Sequence, residues 1–316
     1  MNKRFLVVLS CALLGGTCIF AQPKPKNAPR TLTKGSQFFM APKWTPDGKK
    51  VTFTSDKFNG IWMIRDNGED LKQLSAEPGV GYGYSWNQDG SYLAVRATKY
   101  VNNRKQSAIT IIDPDTKTTK CIYPYSQQIK GVPLWKENGK AIQIKENNKI
   151  SRTRSGIPAG NNRQTDIGSE TFSVYETILY HANDCDKLIK GFENFTGRIL
   201  YNPQLSPDNS KVVFQVSGKG LFLCDTDGSN LKHIGSGENP SWMPDSKYII
   251  VSKTTDDGHI IKSGKLQVVD TDTGQYYPFY ESTSIIASRP SVCPDGSKVA
   301  FNDPEKGIIY ILDIKQ

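Results

Sequence analysis

The sequence predicts an all-β protein, a six-bladed β-propeller of four-stranded antiparallel blades, and three observations carry that expectation. The turn pattern P-x-[W/L/V]-x-[P/Q/E]-[D/N]-[G/N/S] recurs six times, with Tyr84 in place of the first proline in the second copy. Each copy is followed by short strands of partly alternating hydrophobicity and, where the chain is regular, by an Asp- and Gly-rich hairpin. No segment beyond the N-terminal leader shows a convincing helical period. One supersecondary unit repeated six times buries little by itself and gains its core by packing against its neighbours around an axis.

The first copy reads Trp44-Thr45-Pro46-Asp47-Gly48. Proline sets φ for the first corner of a type I turn, Asp hydrogen-bonds back onto its own backbone, and Gly supplies a left-handed exit. The other copies are centred on Asp89, Asn138, Asp208, Asp245 and Asp295. A second strand follows each turn, as in Val51-Thr52-Phe53 and Val212-Val213-Phe214. A third leads into the outer hairpin, as in Leu221-Phe222-Leu223 before Asp225-Thr226-Asp227-Gly228, and a more polar fourth closes the unit, as in Leu231-Lys232-His233-Ile234. The third and fourth turns lie 70 residues apart, so an insertion is expected at about 146–170, after which residues 171–180 resume as a strand and 183–186 form the hairpin. The chain ends on the third strand of the sixth blade. The missing fourth is expected from Arg30-Thr31-Leu32-Thr33-Lys34, so that the N-terminal strand closes the last blade and leaves no free sheet edge.

Residues 1–21 have the layout of a secretory signal peptide: Lys3 and Arg4, an apolar run from Phe5 to Leu14, and a small residue at Ala21, where cleavage is expected. The alternative is a membrane anchor, for which the run is short against the roughly 20 residues a bilayer needs. No lipobox surrounds Cys11 or Cys18, so no lipid anchor is expected. The domain reading is therefore a signal peptide at 1–21, a linker at 22–29 and a propeller at 30–316. The mature protein is expected to be a periplasmic or secreted monomer without a membrane span.

Removal of Lys3 and Arg4 leaves 38 basic against 31 acidic residues. Lys and Arg are spread along the chain with no basic helix, which fits a solvated surface and not a nucleic-acid partner. Cys121, Cys185, Cys224 and Cys293 remain in the mature chain without any CxxC spacing. Four cysteines allow three pairings, among which the sequence does not choose, and free thiols within strands are the simpler expectation.

The x-P-D-G turn with its preceding Trp, as in Trp44-Thr45-Pro46-Asp47-Gly48, resembles the WD40-like PD40 repeat of TolB-like propellers. The same repeat is found in the non-catalytic propellers of dipeptidyl peptidase IV-like and prolyl oligopeptidase-like proteins. The resemblance covers about residues 30–316 and implies the fold more than any activity. Neither the additional α/β domain of TolB nor the hydrolase domain of the peptidases is expected within these 316 residues.

Chemistry is hard to place. No G-x-S-x-G elbow and no HExxH occur, and the three histidines, His181, His233 and His259, fall in three different blades. Asp225/Asp227 and Asp270/Asp272 lack the order of an EF-hand loop and fit hairpin turns. Trp44, Trp86, Trp135 and Trp242 recur at one structural position and read as packing residues. No catalytic residue, metal site or cofactor is therefore expected. Structural positions repeat between blades whereas ligand positions need not, so the candidate site is the ring of unlike residues entering the innermost strands: Tyr82, Lys130, Tyr201, Asn202, Glu238, Asn239 and Arg289. Loops at 99–107, 146–170 and 254–264 are expected on the same face, and their Arg and Lys content suits an acidic partner. The expected function is non-catalytic binding of a protein or peptide of the cell envelope, with a carbohydrate-binding or carbohydrate-processing propeller as the alternative.

Overall fold

The alternating segments become strands at nearly every predicted place. A computed structural model of the protein describes residues 22–146, 149–157, 173–175, 178–180, 195 and 198–315. The leader at 1–21, His181, Cys185 and the hairpin at 183–186 lie outside the described residues.

Two short strands come first, β1 (Lys24–Pro25) and β2 (Arg30–Thr31). Blade one is β3 (Phe39–Trp44), β4 (Lys50–Ser55), β5 (Ile61–Arg65) and β6 (Lys72–Ser75). Blade two is β7 (Tyr84–Trp86), β8 (Leu93–Val101), β9 (Arg104–Ile112) and β10 (Thr119–Ser126). Blade three has three described strands, β11 (Ile129–Lys136), β12 (Ala141–Glu146) and β13 (Lys149–Arg154). A two-stranded sheet follows, β14 (Ser173–Tyr175) with β15 (Ile178–Tyr180). Its first strand lies against both β11 and the next blade's first strand. Blade four is β16 (Leu200–Leu205), β17 (Lys211–Val216), β18 (Gly220–Asp225) and β19 (Lys232–Gly235). Blade five is β20 (Glu238–Trp242), β21 (Tyr248–Asp256), β22 (Ile261–Asp270) and β23 (Tyr276–Tyr280). Blade six is β24 (Ser288–Val292), β25 (Lys298–Asp303) and β26 (Ile308–Lys315).

Every blade is antiparallel in chain order, which makes the molecule a six-bladed β-propeller. The N-terminus closes it as expected: Arg30 and Thr31 pair with Ile311 and Tyr310 of β26. Residues 22–29, read as a linker, also carry a strand, because Lys24 and Pro25 pair with Lys315 and Ile314. Leu32 is buried beyond this strand, and Thr33 accepts a hydrogen bond from the Ile309 N–H at 3.0 Å.

Most of the core lies in the seams between blades, with a further cluster inside blade four around Val212, Phe214 and Phe222. Leu32, Phe39, Val51, Phe53 and Trp62 of the blade-one side pack with Cys293, Ala300, Ile309 and Ile311 of blade six. Ile61, Met63 and Leu74 of blade one meet Tyr84, Leu93, Val95 and Ile112 of blade two. Equivalent clusters join blades two and three, four and five, and five and six.

The repeated turns form as predicted. Gly48 N–H donates to Thr45 O at 2.9 Å, Asn209 N–H to Ser206 O at 2.9 Å, and Gly296 N–H to Cys293 O at 2.8 Å. The Asp carboxylates accept backbone N–H groups two residues on, as Asp208 does from Ser210 at 3.0 Å. Three of the four repeat tryptophans also tie blades together. The indole N–H groups of Trp44, Trp135 and Trp242 donate to Ser291 O, Ser85 O and Gln204 O of the preceding blade at 2.9, 2.9 and 3.0 Å. Trp86 has only a long contact of 3.5 Å to Thr52 Oγ1.

Three expected loops are instead largely strand. Residues 99–107 belong to β8 and β9, which turn only at Asn102-Asn103, and Lys149–Arg154 of the expected insertion pairs along β12. In the expected loop at 254–264, Thr254, Thr255 and Asp256 of β21 pair with Gly264, Ser263 and Ile261 of β22. Among the described residues Cys121, Cys224 and Cys293 are free thiols, and burial pushes those of Cys224 and Cys293 up to about 12.

Candidate functional site

The antiparallel order assigns each connection to a face. The Pro-Asp-Gly turns and the hairpins between third and fourth strands share one end of the propeller. The entries to the innermost strands and the hairpins between second and third strands share the other, here called the mouth face.

The innermost strands enter this face through a bulge. The ladder register slips between Met40 and Lys43, Lys130 and Leu134, Tyr201 and Gln204, Glu238 and Ser241, and Ser288 and Ser291. At these slips Ala41, Gly131, Asn202, Asn239 and Arg289 take positive φ, from 50° to 69°. Asn tolerates this left-handed geometry, whereas at Ala41 and Arg289 it costs on the order of 1–3 kcal/mol. The bulge twists the strand and re-aims the side chain at the mouth.

A second repeated position supports the bulges. Seven residues after each turn Asp or Asn stands a buried polar side chain on the second strand: Thr54, Arg96, Lys145, Gln215, Ser252 and Asn302. Asn302 Oδ1 accepts from Ala41 N–H at 3.2 Å, and Gln215 Oε1 accepts from Asn239 N–H at 2.9 Å, each bracing the next blade's bulge. Arg96 Nη1 donates to Gly131 O at 2.8 Å in the same way. This ring was legible as a polar residue interrupting each apolar strand, for example Leu93-Ala94-Val95-Arg96, but only alignment on the bulges gives it a role.

The seven sequence-predicted residues fall on this face, and contacts link them into an arc. Asn202 Nδ2 donates to Asn239 Oδ1 at 3.2 Å and to Gln215 Oε1 at 2.8 Å, and Gln215 Nε2 donates to Tyr201 Oη at 3.3 Å. Burial raises the Tyr201 phenol, with the Glu238 carboxylate adding to the shift. Burial pushes the Arg289 guanidinium down, and the same Glu238 charge opposes that shift. Arg289 stands 5.9 Å from the centroid of Phe58, whose ring meets Tyr82 edge-on at 5.2 Å. Tyr82 in turn lies 5.2 Å from the Arg96 guanidinium. Desolvation lowers the Lys105 ammonium, and the charges of Arg96 and Lys130 lower it further. Sequence reasoning missed Phe58 and Arg96, which join the predicted residues to one another. Phe58 sits in the short loop after β4 and carries no sequence signal.

The mouth face is also where the chain exposes apolar surface. Among the described residues eight large apolar side chains are exposed: Leu71, Tyr82, Tyr100, Val101, Val132, Ile199, Tyr201 and Ile260. All but Leu71 lie on this face. Inside the channel, Lys43 of β3 holds its ammonium 4.7 Å from the Tyr84 ring centroid. Water reaches this side chain, yet the surrounding walls desolvate it and lower its pKa.

No protein-family model matches this chain, and no curated protein matches it either. Solved structures do. A putative TolB from Agrobacterium tumefaciens is 13% identical with a TM-score of 0.51, over 91% of this chain and 94% of its own. The shared fold is a β-propeller, here with six blades. The β-propeller domain of Cps50 (Swd1) from Myceliophteria thermophila is 11% identical with a TM-score of 0.59, over 90% of this chain and 99% of its own. A GH74 enzyme from Niastella koreensis is 12% identical with a TM-score of 0.61, over 87% of this chain and 52% of the enzyme, so this chain matches about half of that protein. At such identities the likeness establishes architecture alone.

Proposed function

We propose that this chain is an exported, non-catalytic propeller that binds a protein or peptide partner of the cell envelope on its mouth face. The observation that carries the reading is the segregation of exposed apolar side chains. Seven of the eight lie on one face, and such clustering marks interaction surfaces more than chance exposure does. Tyr82, Tyr201 and Arg289 are residue types enriched at the centres of protein interfaces, and Lys130, Asn202, Glu238 and Asn239 supply the polar contacts around them. Export rests on the leader-like segment at 1–21.

A photo-crosslinking amino acid placed at Tyr100, Ile260 or, as the opposite-face control, Leu71 tests the reading in intact cells. Discrete adducts are expected from positions 100 and 260 and none from 71. Adducts of equal yield from all three, or from 71 alone, would sink the assignment of the face.

The exposed rings of Tyr82, Tyr100 and Tyr201 also favour a second reading, sugar stacking on the same face. Micromolar binding of a glycan, abolished in Arg289→Ala, would put that reading first.

A further inference from the structure

A cleft of about 220 Å³ opens on the mouth face between the loop after β4 and the long β8–β9 hairpin. Lys57, Phe58, Tyr82, Arg96, Tyr100 and Lys105 line it, and no carboxylate does. None of its three cations forms an ion pair with another described residue. Three positive groups gathered without a counter-charge are costly in a partly desolvated site, and a bound anion would relieve that repulsion.

Arg96 is the informative member. Only 9% of its surface is exposed, yet its Nε–H has no hydrogen-bond partner. In four other blades the equivalent buried side chain is satisfied by backbone: Thr54 Oγ1 donates to Gly60 O at 2.8 Å and Ser252 Oγ to Glu238 O at 3.1 Å, while Gln215 and Asn302 accept backbone N–H groups. Bracing β11 needs only Nη1, which bonds Gly131 O. That leaves the Nε–Nη2 edge of the guanidinium, two parallel N–H donors whose spacing matches the two oxygens of a carboxylate. The Tyr82 ring lies beside the guanidinium, its centroid 5.2 Å from Cζ, within range of a cation–π contact.

We propose that this cleft is a carboxylate-binding site, seating a peptide's C-terminal carboxylate or its Asp or Glu side chain on the Nε–Nη2 edge of Arg96 with Lys105 at the rim. The peptide as its occupant rests on the mouth-face reading above. The carboxylate chemistry rests on the cleft alone.

The test follows the Arg96 Nε–H resonance by NMR in the mature protein, assigned by its loss in Arg96→Lys. The probes are N-acetyl-Ala-Ala with a free C-terminus, N-acetyl-Ala-Glu-amide, and N-acetyl-Ala-Gln-amide as the uncharged control. The expected result is a saturable shift with one or both carboxylates, telling which source is preferred, and none with the control. Lys105 is exposed, so Lys105→Gln should fold normally and weaken carboxylate binding up to about fivefold. An equal response to the amide control overturns the proposal, as does an unmoved resonance. So does tighter binding of inorganic phosphate or of glucuronate than of either peptide. If crosslinking fails on the mouth face while the carboxylate peptides still shift Arg96, the face reading falls and the cleft's chemistry stands.

Discussion

Trp242 shows how much a single repeated residue does. Its ring is buried in the seam between blades four and five, and its indole N–H bridges that seam at 3.0 Å to Gln204 O. Trp86 occupies the same place in blade two with a contact of 3.5 Å, at the edge of hydrogen-bond range. Trp242→Phe keeps an aromatic ring but removes the donor, leaving a buried carbonyl short of a partner. It should lower stability in urea unfolding by about 1–2 kcal/mol, and Trp86→Phe by less than half of that. Equal losses would mean that the packing of the rings, not the bonds to the neighbouring blade, ties these positions. The same reasoning marks Arg96 as an exception. An unpartnered buried N–H costs on the order of 1–3 kcal/mol, and the five equivalent positions show that the fold does not require an arginine there.

Among elements, the N-terminal strap has the largest structural leverage for its length. β1 and β2 contribute only four residues to the blade-six sheet, but they cover the outer edge of β26. Leu32 beyond them enters the cluster shared by blades six and one. Deleting residues 22–34 would bare both the strand edge and that cluster. The urea midpoint should fall clearly. Leu32→Ala alone should cost about 2–4 kcal/mol by leaving a cavity in a well-packed seam. A truncated protein with an unchanged midpoint would show that the ring closes without the strap. The bulges are the second element-scale device. They appear in five of the six innermost strands, so the left-handed backbone at Arg289 belongs to the repeat, and its side chain is the part that differs between blades.

At the scale of the whole molecule the repeat makes small electrostatic effects add. Burial alone would raise the carboxyls of Asp47, Asp89, Asp208 and Asp295, but hydrogen bonds from neighbouring hydroxyls, backbone N–H groups or a thiol outweigh it and hold all four below the usual value. Asp270 shifts the same way. A folded-state pKa below the unfolded value of about 3.9 contributes stability that is complete above that value and lost as pH falls through the folded value. The melting temperature should therefore hold from pH 7 to about pH 5 and fall below pH 4, and Asp208→Asn should lower the plateau while making the acid fall shallower. A fall that begins near pH 6 would overturn this account of the turn carboxylates. The turn pattern read from the sequence determined the blades, their order and the closing strand, because turn chemistry and strand alternation are local and were repeated six times. It also placed the mouth residues on one face, since strand order fixes which connections share an end. Only the tertiary structure decided what those residues do together. Phe58, Tyr82, Arg96 and Arg289 are far apart in the chain and meet where bulged strands from different blades converge. The free edge of Arg96 exists only because its other nitrogen is held by the blade beside it.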